Sequence, residues 1–238
     1  RHYLLARVTP TQSFVEHSVT VLIPCRNEKG NIEEVVKRLP KIGSHTEIIF
    51  VEGHSSDGTW TELKRVKDCY PDLDIKILQQ KGIGKGDAVR EGFSVASGEI
   101  LMILDADLTV PPEELPKFYE QIRSGNGEFI NGSRLVYSME DQAMRFLNYI
   151  ANLIFAKTFT FLLNQPFTDT LCGTKVISQE NYLKLSGNRS YFGDFDPFGD
   201  FDLIFGATKL NLKIVEVPVR YRRRRYGATQ ISRFRHGI

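Results

Sequence analysis

Cysteine is scarce in this chain: Cys25, Cys69 and Cys172 are spread over 238 residues. Their odd number and their lack of metal-ligand spacing exclude a disulfide framework and a zinc motif. A reduced cytoplasmic compartment is expected. No stretch approaches about 18 uninterrupted apolar residues, so no transmembrane helix is expected, and no signal-peptide pattern is visible. Internal repeats and low-complexity segments are lacking. So are a Walker phosphate loop and a G-x-G-x-x-G turn, which argues against an ATPase or a dinucleotide enzyme. Acidic residues vanish from Arg220 onward, where seven arginines (Arg220, Arg222, Arg223, Arg224, Arg225, Arg233, Arg235) occur without one Asp or Glu.

The overall balance is otherwise ordinary, with 41% hydrophobic and 25% charged residues and a net charge of +2. The length allows one generous α/β domain or two small ones. The first residue is Arg1 rather than Met. The chain therefore reads as a processed protein or a domain excised from a longer one with a further domain upstream, and residues 1–17 read as an N-terminal linker or extension.

The stretch Ile100–Thr109 organises the rest. Five apolar residues run into Asp105, Ala106 and Asp107, a pattern suited to a strand buried on both faces. Ligands of open α/β sheets bind at the carboxyl ends of strands. Two carboxylates at i and i+2 on a strand share a side and suit a hard cation such as Mg²⁺, which typically takes one or two carboxylates plus ligand phosphates. The plainer reading is a turn after a core strand.

Before it, strands are predicted at Val19–Pro24, Glu47–Glu52 and Ile75–Leu78, and helices at Asn31–Leu39, Thr59–Tyr70 and Asp87–Ala96. This alternation implies right-handed crossovers and a mostly parallel sheet with helices on both faces. After it come a helix at Glu113–Ser124, a strand at Phe129–Ser133 ending in Arg134, and a long helical stretch, Met139–Leu163. Phe146, Tyr149, Ile150, Leu153, Ile154 and Phe161 share one face of that stretch, with Phe155 and Phe159 off it. It suits a core helix and a helix lying on a membrane or gripping a lipid equally. A loop into a strand follows at Thr168–Ile177. A helix over Phe198–Leu210, with Asp200 and Asp202 in its first turn, and a strand at Ile214–Val219 precede the arginines.

A nucleotide-diphosphate ligand needs an edge partner for its base and cations for its phosphates. Glu52 can accept from a base N–H or be a solvated loop acid. Asp57, before Gly58, is read as shaping a turn and capping a helix. Gly84, Lys85 and Gly86 open a helix and can present N–H groups to an anion. A C-terminal arginine can complete a charge clamp on the diphosphate. The arginine run also suits a solvated edge or an anionic membrane surface. With few aromatics it does not suggest nucleic acid.

The order Val21-Leu22-Ile23-Pro24-Cys25-Arg26-Asn27-Glu28, Val51-Glu52-Gly53-His54-Ser55-Ser56-Asp57-Gly58-Thr59, Gly84-Lys85-Gly86-Asp87-Ala88 and Asp105-Ala106-Asp107 resembles the family-2 glycosyltransferases. Asn131-Gly132-Ser133-Arg134, Asp169 to Lys175, and Glu216-Val217-Pro218-Val219 followed by Arg224 to Thr229 resemble their dolichol-phosphate mannose synthase branch. The resemblance spans Val19 to Gly237 and implies a GT-A (Rossmann-like) domain over residues 18–238. It also implies inverting transfer of a sugar from a GDP- or UDP-sugar to a polyprenyl phosphate, and a peripheral enzyme at the cytoplasmic face of a membrane.

The resemblance assigns Asp105 and Asp107 to a Mg²⁺ or Mn²⁺ motif. Pro24, Arg26, Asn27, Glu28 and Glu52, with Gly84, Lys85 and Ala106, become nucleotide contacts. Arg134 and Arg224 become grips on donor or acceptor phosphates, and Asp169 an acceptor-side acid. Where relatives carry two acids after the second strand, this chain has Glu52-Gly53. A phosphate acceptor is already ionised at neutral pH. A hydroxyl of a sugar or small soluble acceptor would need a base, for which Asp169 is the candidate, and loop capping is its alternative. A nucleotidyltransferase and a catalytically silent binding module are the competing classes.

Overall fold

The computed structural model describes residues 15–137, 146–187 and 201–227. The start of the N-terminal extension, the first residues of the long stretch from Met139, Asp200, and Arg233 and Arg235 lie outside them. In chain order the elements are β1 (Val19–Cys25), α1 (Ile32–Arg38), β2 (Thr46–Glu52), α2 (Thr59–Cys69), β3 (Asp74–Gln79), α3 (Lys85–Ser94), β4 (Ile100–Ile103), α4 (Leu115–Arg123) and β5 (Phe129–Ser133). The chain continues with α5 (Phe146–Leu163), β6 (Lys175–Ser178), α6 (Gln179–Gly187), α7 (Phe201–Lys209) and β7 (Ile214–Pro218).

The strands form one sheet in the order β3-β2-β1-β4-β6-β5-β7. β6 runs antiparallel to both its neighbours, while the other pairs are parallel. The α/β reading and the mostly parallel sheet therefore hold. Side chains of a strand alternate between faces, and the core divides accordingly. Val21, Ile23, Ile48, Phe50, Ile100 and Met102 pack with α1, α2 and α4 on one face. Leu22, Ile49, Val51, Leu101 and Ile103 pack with α3, α6, α7 and Phe159 of α5 on the other. Gly92 of α3 lies so close to Leu22 and Val51 that a Cβ there would collide.

Some boundaries differ from expectation. β1 continues through Pro24 to Cys25. The β4 ladder stops at Ile103, short of the aspartates. Alternating burial nevertheless persists, because Leu104, Ala106 and Leu108 remain in the core between the partly exposed Asp105 and Asp107. α3 begins two residues early, after Gly84 at positive φ (+92°). The short helix α6 was not anticipated.

On α5 the two readings separate. Asn152, Ala156 and Phe159 form the buried side, while Tyr149, Ile150, Ile154 and Phe161, from the face expected to be continuous, are exposed together with Leu162. Among the described residues, no helix is long and apolar enough to cross a membrane.

Candidate active site

The carboxyl ends of β1, β2 and β4 open on one crevice, where the order reverses between β1 and β4. Three non-glycine residues sit there at positive φ: Asn27 after β1 (55°), His54 after β2 (58°) and Leu108 after β4 (58°). Such backbone is uncommon outside glycine and is concentrated at functional sites. Among the described residues, the other two at positive φ of this kind, Asn164 and Asn211, follow α5 and α7, where a left-handed residue is an ordinary helix terminator.

The segment after β7 crosses this end of the sheet as a strap. Val219 N–H donates to Ser133 O and Arg222 N–H to Thr109 O. Arg224 donates from Nη1 to Glu28 Oε1 (2.5 Å) and from Nη2 to Asp107 Oδ2 (2.6 Å). Tyr226 lies against Gly30, where a Cβ would meet its ring, and its hydroxyl donates to Asp57 Oδ2 (3.3 Å). The strap thus runs from the β7 edge over the ends of β5, β4 and β1 to the β2 loop. This is how an arginine 117 positions away in sequence reaches Asp107.

Each member of the Asp pair faces its own cation. Asp105 Oδ1 holds Lys85 Nζ at 2.5 Å. Burial pushes the Asp105 carboxyl up, but Lys85, Lys175 and Arg134 more than offset this and hold it below 3.8. Gly173 lies directly over this pair, and a Cβ there would clash with Asp105 Oδ2 and Lys85 Nζ. Asp107 accepts from Arg224 on one oxygen and from Thr109 N–H (3.0 Å) and Oγ1 (2.7 Å) on the other. Glu28 is buried, bonded to Arg224 and Asn31 (2.6 Å). Burial pushes its carboxyl above 4.5, partly countered by Arg224.

The residues expected on the nucleotide side fall around the same mouth. Pro24 is half-buried, Arg26 is exposed, and Asn27 Oδ1 accepts from Ser56 N–H (2.9 Å). Glu52 is not a solvated acid: it is 3% exposed, and its Oε1 accepts from Ser55 N–H (2.5 Å). Asp57 does shape the turn, accepting from Thr59 N–H (2.9 Å) at the start of α2 and from Lys29 N–H (3.1 Å). Gly84 has open space around it and Ala106 is buried.

Asp169 and Arg134 form an interior arrangement beside these groups, close enough for Arg134 to act on Asp105. The Asp169 side chain is wholly buried and accepts from Arg134 N–H (3.0 Å), Nε (2.7 Å) and Nη2 (2.9 Å), Asn152 Nδ2 (2.9 Å) and Leu171 N–H (3.0 Å). Burial pushes its carboxyl up, and Arg134 more than reverses this, leaving it below 3.8. A carboxylate so saturated is not a proton acceptor. Its geometry fits the loop-building alternative: it fixes Arg134, whose guanidinium also stacks 5.2 Å from the Tyr221 ring.

Sequence reasoning placed the residues that support these groups within its motifs but gave them no role. Lys175 is 1% exposed, donates to Cys172 O (2.5 Å) and adds positive charge beside Asp105. Glu216 accepts from Thr168 and Asp169 N–H and from Asn131 Nδ2, tying β7 to the loop. The available signals were a lysine opening an apolar strand and an Asn in another.

Among the described residues, no three His, Cys, Asp or Glu side chains gather into a ligand cluster. Asp105 and Asp107 offer hard oxygens, with side chains 32% and 13% exposed. A divalent cation that keeps waters and ligand phosphates fits such a donor set. The cations now on both carboxylates are the counter-charge the place requires.

Fold and crevice define an α/β protein of GT-A-like architecture. The glycosyl transferase family 2 profile matches residues 20–185, and the chain belongs to that family of glycosyltransferases. The chain is 39% identical over 120 residues to a dolichol-phosphate mannosyltransferase of Pyrococcus furiosus, covering 50% of this chain and 33% of that protein. It is 31% identical over 113 residues to an undecaprenyl-phosphate 4-deoxy-4-formamido-L-arabinose transferase of Enterobacter sp., covering 46% and 35%. The matches thus span about a third of each curated relative. In fold it is similar to glucosyl-3-phosphoglycerate synthase from Mycobacterium tuberculosis in complex with Mn²⁺, UDP and glucosyl-3-phosphoglycerate (TM-score 0.65, 17% identity, 97% of this chain and 81% of that one). The same enzyme with Mg²⁺ and UDP gives a TM-score of 0.66 at 17% identity, covering 92% and 74%.

Proposed function

We propose that the chain transfers a sugar, with inversion, from a GDP- or UDP-sugar to a polyprenyl phosphate, working peripherally at the cytoplasmic face of a membrane. The observation that carries this reading is the junction at Arg224, where the strap, the β1 loop and Asp107 after β4 meet. Asp105 and Asp107 would hold a Mg²⁺ or Mn²⁺, which when bound supplies positive charge to the departing nucleoside diphosphate. Arg224, exchanging Asp107 and Glu28 for phosphate oxygens, adds a guanidinium fork to the same charge. Lys85 does likewise from the start of α3. Pro24, Arg26, Asn27 and Glu52 line the nucleoside end, with Gly84 leaving room beside it.

The acceptor, a phosphate monoester with a second pKa of about 6, is ionised at neutral pH and attacks without a protein base. Arg134, fixed by Asp169, orients it. The exposed apolar side of α5, with Ile154, Phe161 and Leu162 60%, 85% and 63% exposed, fits a prenyl chain or lipid surface. Both curated relatives are named for a polyprenyl phosphate. Transfer to a hydroxyl is the weaker reading, because it requires a base and Asp169 has no free oxygen to serve as one.

The test is calorimetric titration of GDP, UDP and their sugar conjugates with Mg²⁺, Mn²⁺ or EDTA, on wild type and Asp107→Ala. Metal-dependent binding of one nucleotide, lost in the variant, is the expected result, followed by turnover on a polyprenyl phosphate. A folded wild type that binds no nucleotide would leave a catalytically silent module.

A further inference from the structure

The nucleoside end of the crevice holds one polar group to which the donor site gives no role. Gln80 directly follows β3 and is 5% exposed. Its N–H donates to Glu52 O (2.8 Å), and Gly53 N–H donates to Cys25 O (2.9 Å), so the carboxyl ends of β1, β2 and β3 are tied together here. The partners of the Gln80 amide fix which way it faces. One end lies 2.7 Å from Gly84 O and 3.0 Å from Asp87 Oδ2, both acceptors, so that end is Nε2 and donates to each. Oε1 then points the other way. It lies 3.0 Å from the place a Cβ on Gly53 would take, with Arg26 Cβ 3.6 Å from that place on the β1 side. A side chain at 53 would crowd the oxygen, and glycine leaves it uncovered. Among the described residues Oε1 accepts from no group, and it is not one of the buried atoms left without a partner, so solvent reaches it. A glutamine serving only as a brace would have both ends paired. Here the donor end is fixed and the acceptor end is open.

We propose that Gln80 reads the base of the donor: its Oε1 accepts a ring N–H, so the site takes guanine or uracil and rejects adenine and cytosine. This rests on the donor site proposed for the crevice. Guanine N1 and uracil N3 carry a proton, whereas adenine N1 and cytosine N3 are bare acceptors. An amide free to rotate would serve either kind of edge. Gln80 is not free, because turning it over would set Oε1 against Gly84 O and Asp87 Oδ2, acceptor against acceptor. Discrimination then has two parts. The bond to the ring N–H attracts one kind of base, and Oε1 facing a bare ring nitrogen repels the other. Gly53 takes part by leaving the oxygen uncovered.

The test is calorimetric titration of the whole chain, with Mn²⁺ present, against GDP, ADP, UDP, CDP and pyrophosphate, the last being a probe without a base. Wild type should bind GDP at least about tenfold tighter than ADP, or UDP at least about tenfold tighter than CDP, as a site built around one hydrogen bond does. Gln80→Met keeps the side chain's length and removes both polar ends. It should shrink that ratio about tenfold, the worth of one such bond and its mismatch, while pyrophosphate binds as before. Gly53→Ala leaves Gln80 in place and sets a methyl 3.0 Å from Oε1. Its ratio should fall in the same direction, and it carries the test by itself if Gln80→Met does not fold. Equal weakening of every probe, pyrophosphate included, would mean that Gln80 only braces the β3 loop and would overturn the proposal. A wild type that binds all four nucleotides alike, or a ratio unchanged in the folded variants, would overturn this proposal and leave the donor site standing. A folded wild type that binds no nucleotide would overturn both.

Discussion

Asp169 and Asp107 each hold an arginine within 3 Å, and in sequence they look alike. Their surroundings differ. Asp169 is buried, its partner Arg134 is 12% exposed, and five donors occupy its oxygens. Asp107 and Arg224 are 13% and 25% exposed at a crevice mouth, and Arg224 is shared with Glu28. Exchanging partners at Asp169 would strand a charge in the interior, whereas at Asp107 solvent or a ligand can take over. Burial and the number of competing partners, not the pair itself, separate a structural ion pair from one able to open for a ligand.

The largest expected effect breaks the interior pair. Asp169→Ala leaves the Arg134 guanidinium buried without its counter-charge and should cost about 3–5 kcal/mol in urea unfolding. Replacing both members with leucine should cost much less than Asp169→Ala. A loss under about 1 kcal/mol in Asp169→Ala would remove the contrast drawn above.

Asp107→Asn is the matching change at the crevice. Its pair is partly solvated, so stability should move by no more than about 1 kcal/mol. Turnover should fall by about 10²–10³, the cost of losing a group that helps stabilise the leaving charge. A variant that unfolds as readily as Asp169→Ala would make Asp107 structural as well.

Much of this contrast could not be read from the chain. The alternating half from Val19 to Asp107 was legible because its strands are continuous apolar runs and its helices follow with short connections. The even-numbered residues from Ile100 to Leu108 stay in the core even after the ladder ends, so the pattern pointed correctly to a special strand end. The reversed direction of β6 was not legible, since a four-residue run carries no sign of which neighbour it pairs with. Nor was the burial of Asp169, which depends on Asn152 arriving from α5 and Glu216 from β7. The strap's route was hidden for the same reason: an arginine run looks like a solvated edge until the fold carries Arg224 back to Asp107.

Gly173→Ala sharpens the comparison from the side of Asp105. The added methyl meets the ends of the Asp105 and Lys85 side chains rather than backbone. The fold should therefore survive while the pair is pushed aside. We expect donor affinity to fall about tenfold, roughly 1.4 kcal/mol, with the urea midpoint unchanged. An unchanged affinity would show that the Lys85–Asp105 geometry is immaterial to the donor.

The smallest effect is in pH, and here two acids act with opposite sign. Asp169 titrates below 3.8 when folded, so the stability it contributes is present at neutral pH and is lost as pH falls below that value. Glu28 titrates above 4.5 when folded, so its ionisation costs stability at neutral pH and that cost is relieved as pH falls through its raised range toward 4.5. As pH falls toward 4.5, protonation of Glu28 should add stability that offsets part of the later acid loss, and below 3.8 Asp169 should dominate and stability should drop. Glu28→Gln removes the offset. Its urea stability relative to wild type should therefore decline as the pH is lowered from 6 to 4, and a difference that stays flat would mean that Arg224 compensates Glu28 as fully as Arg134 compensates Asp169.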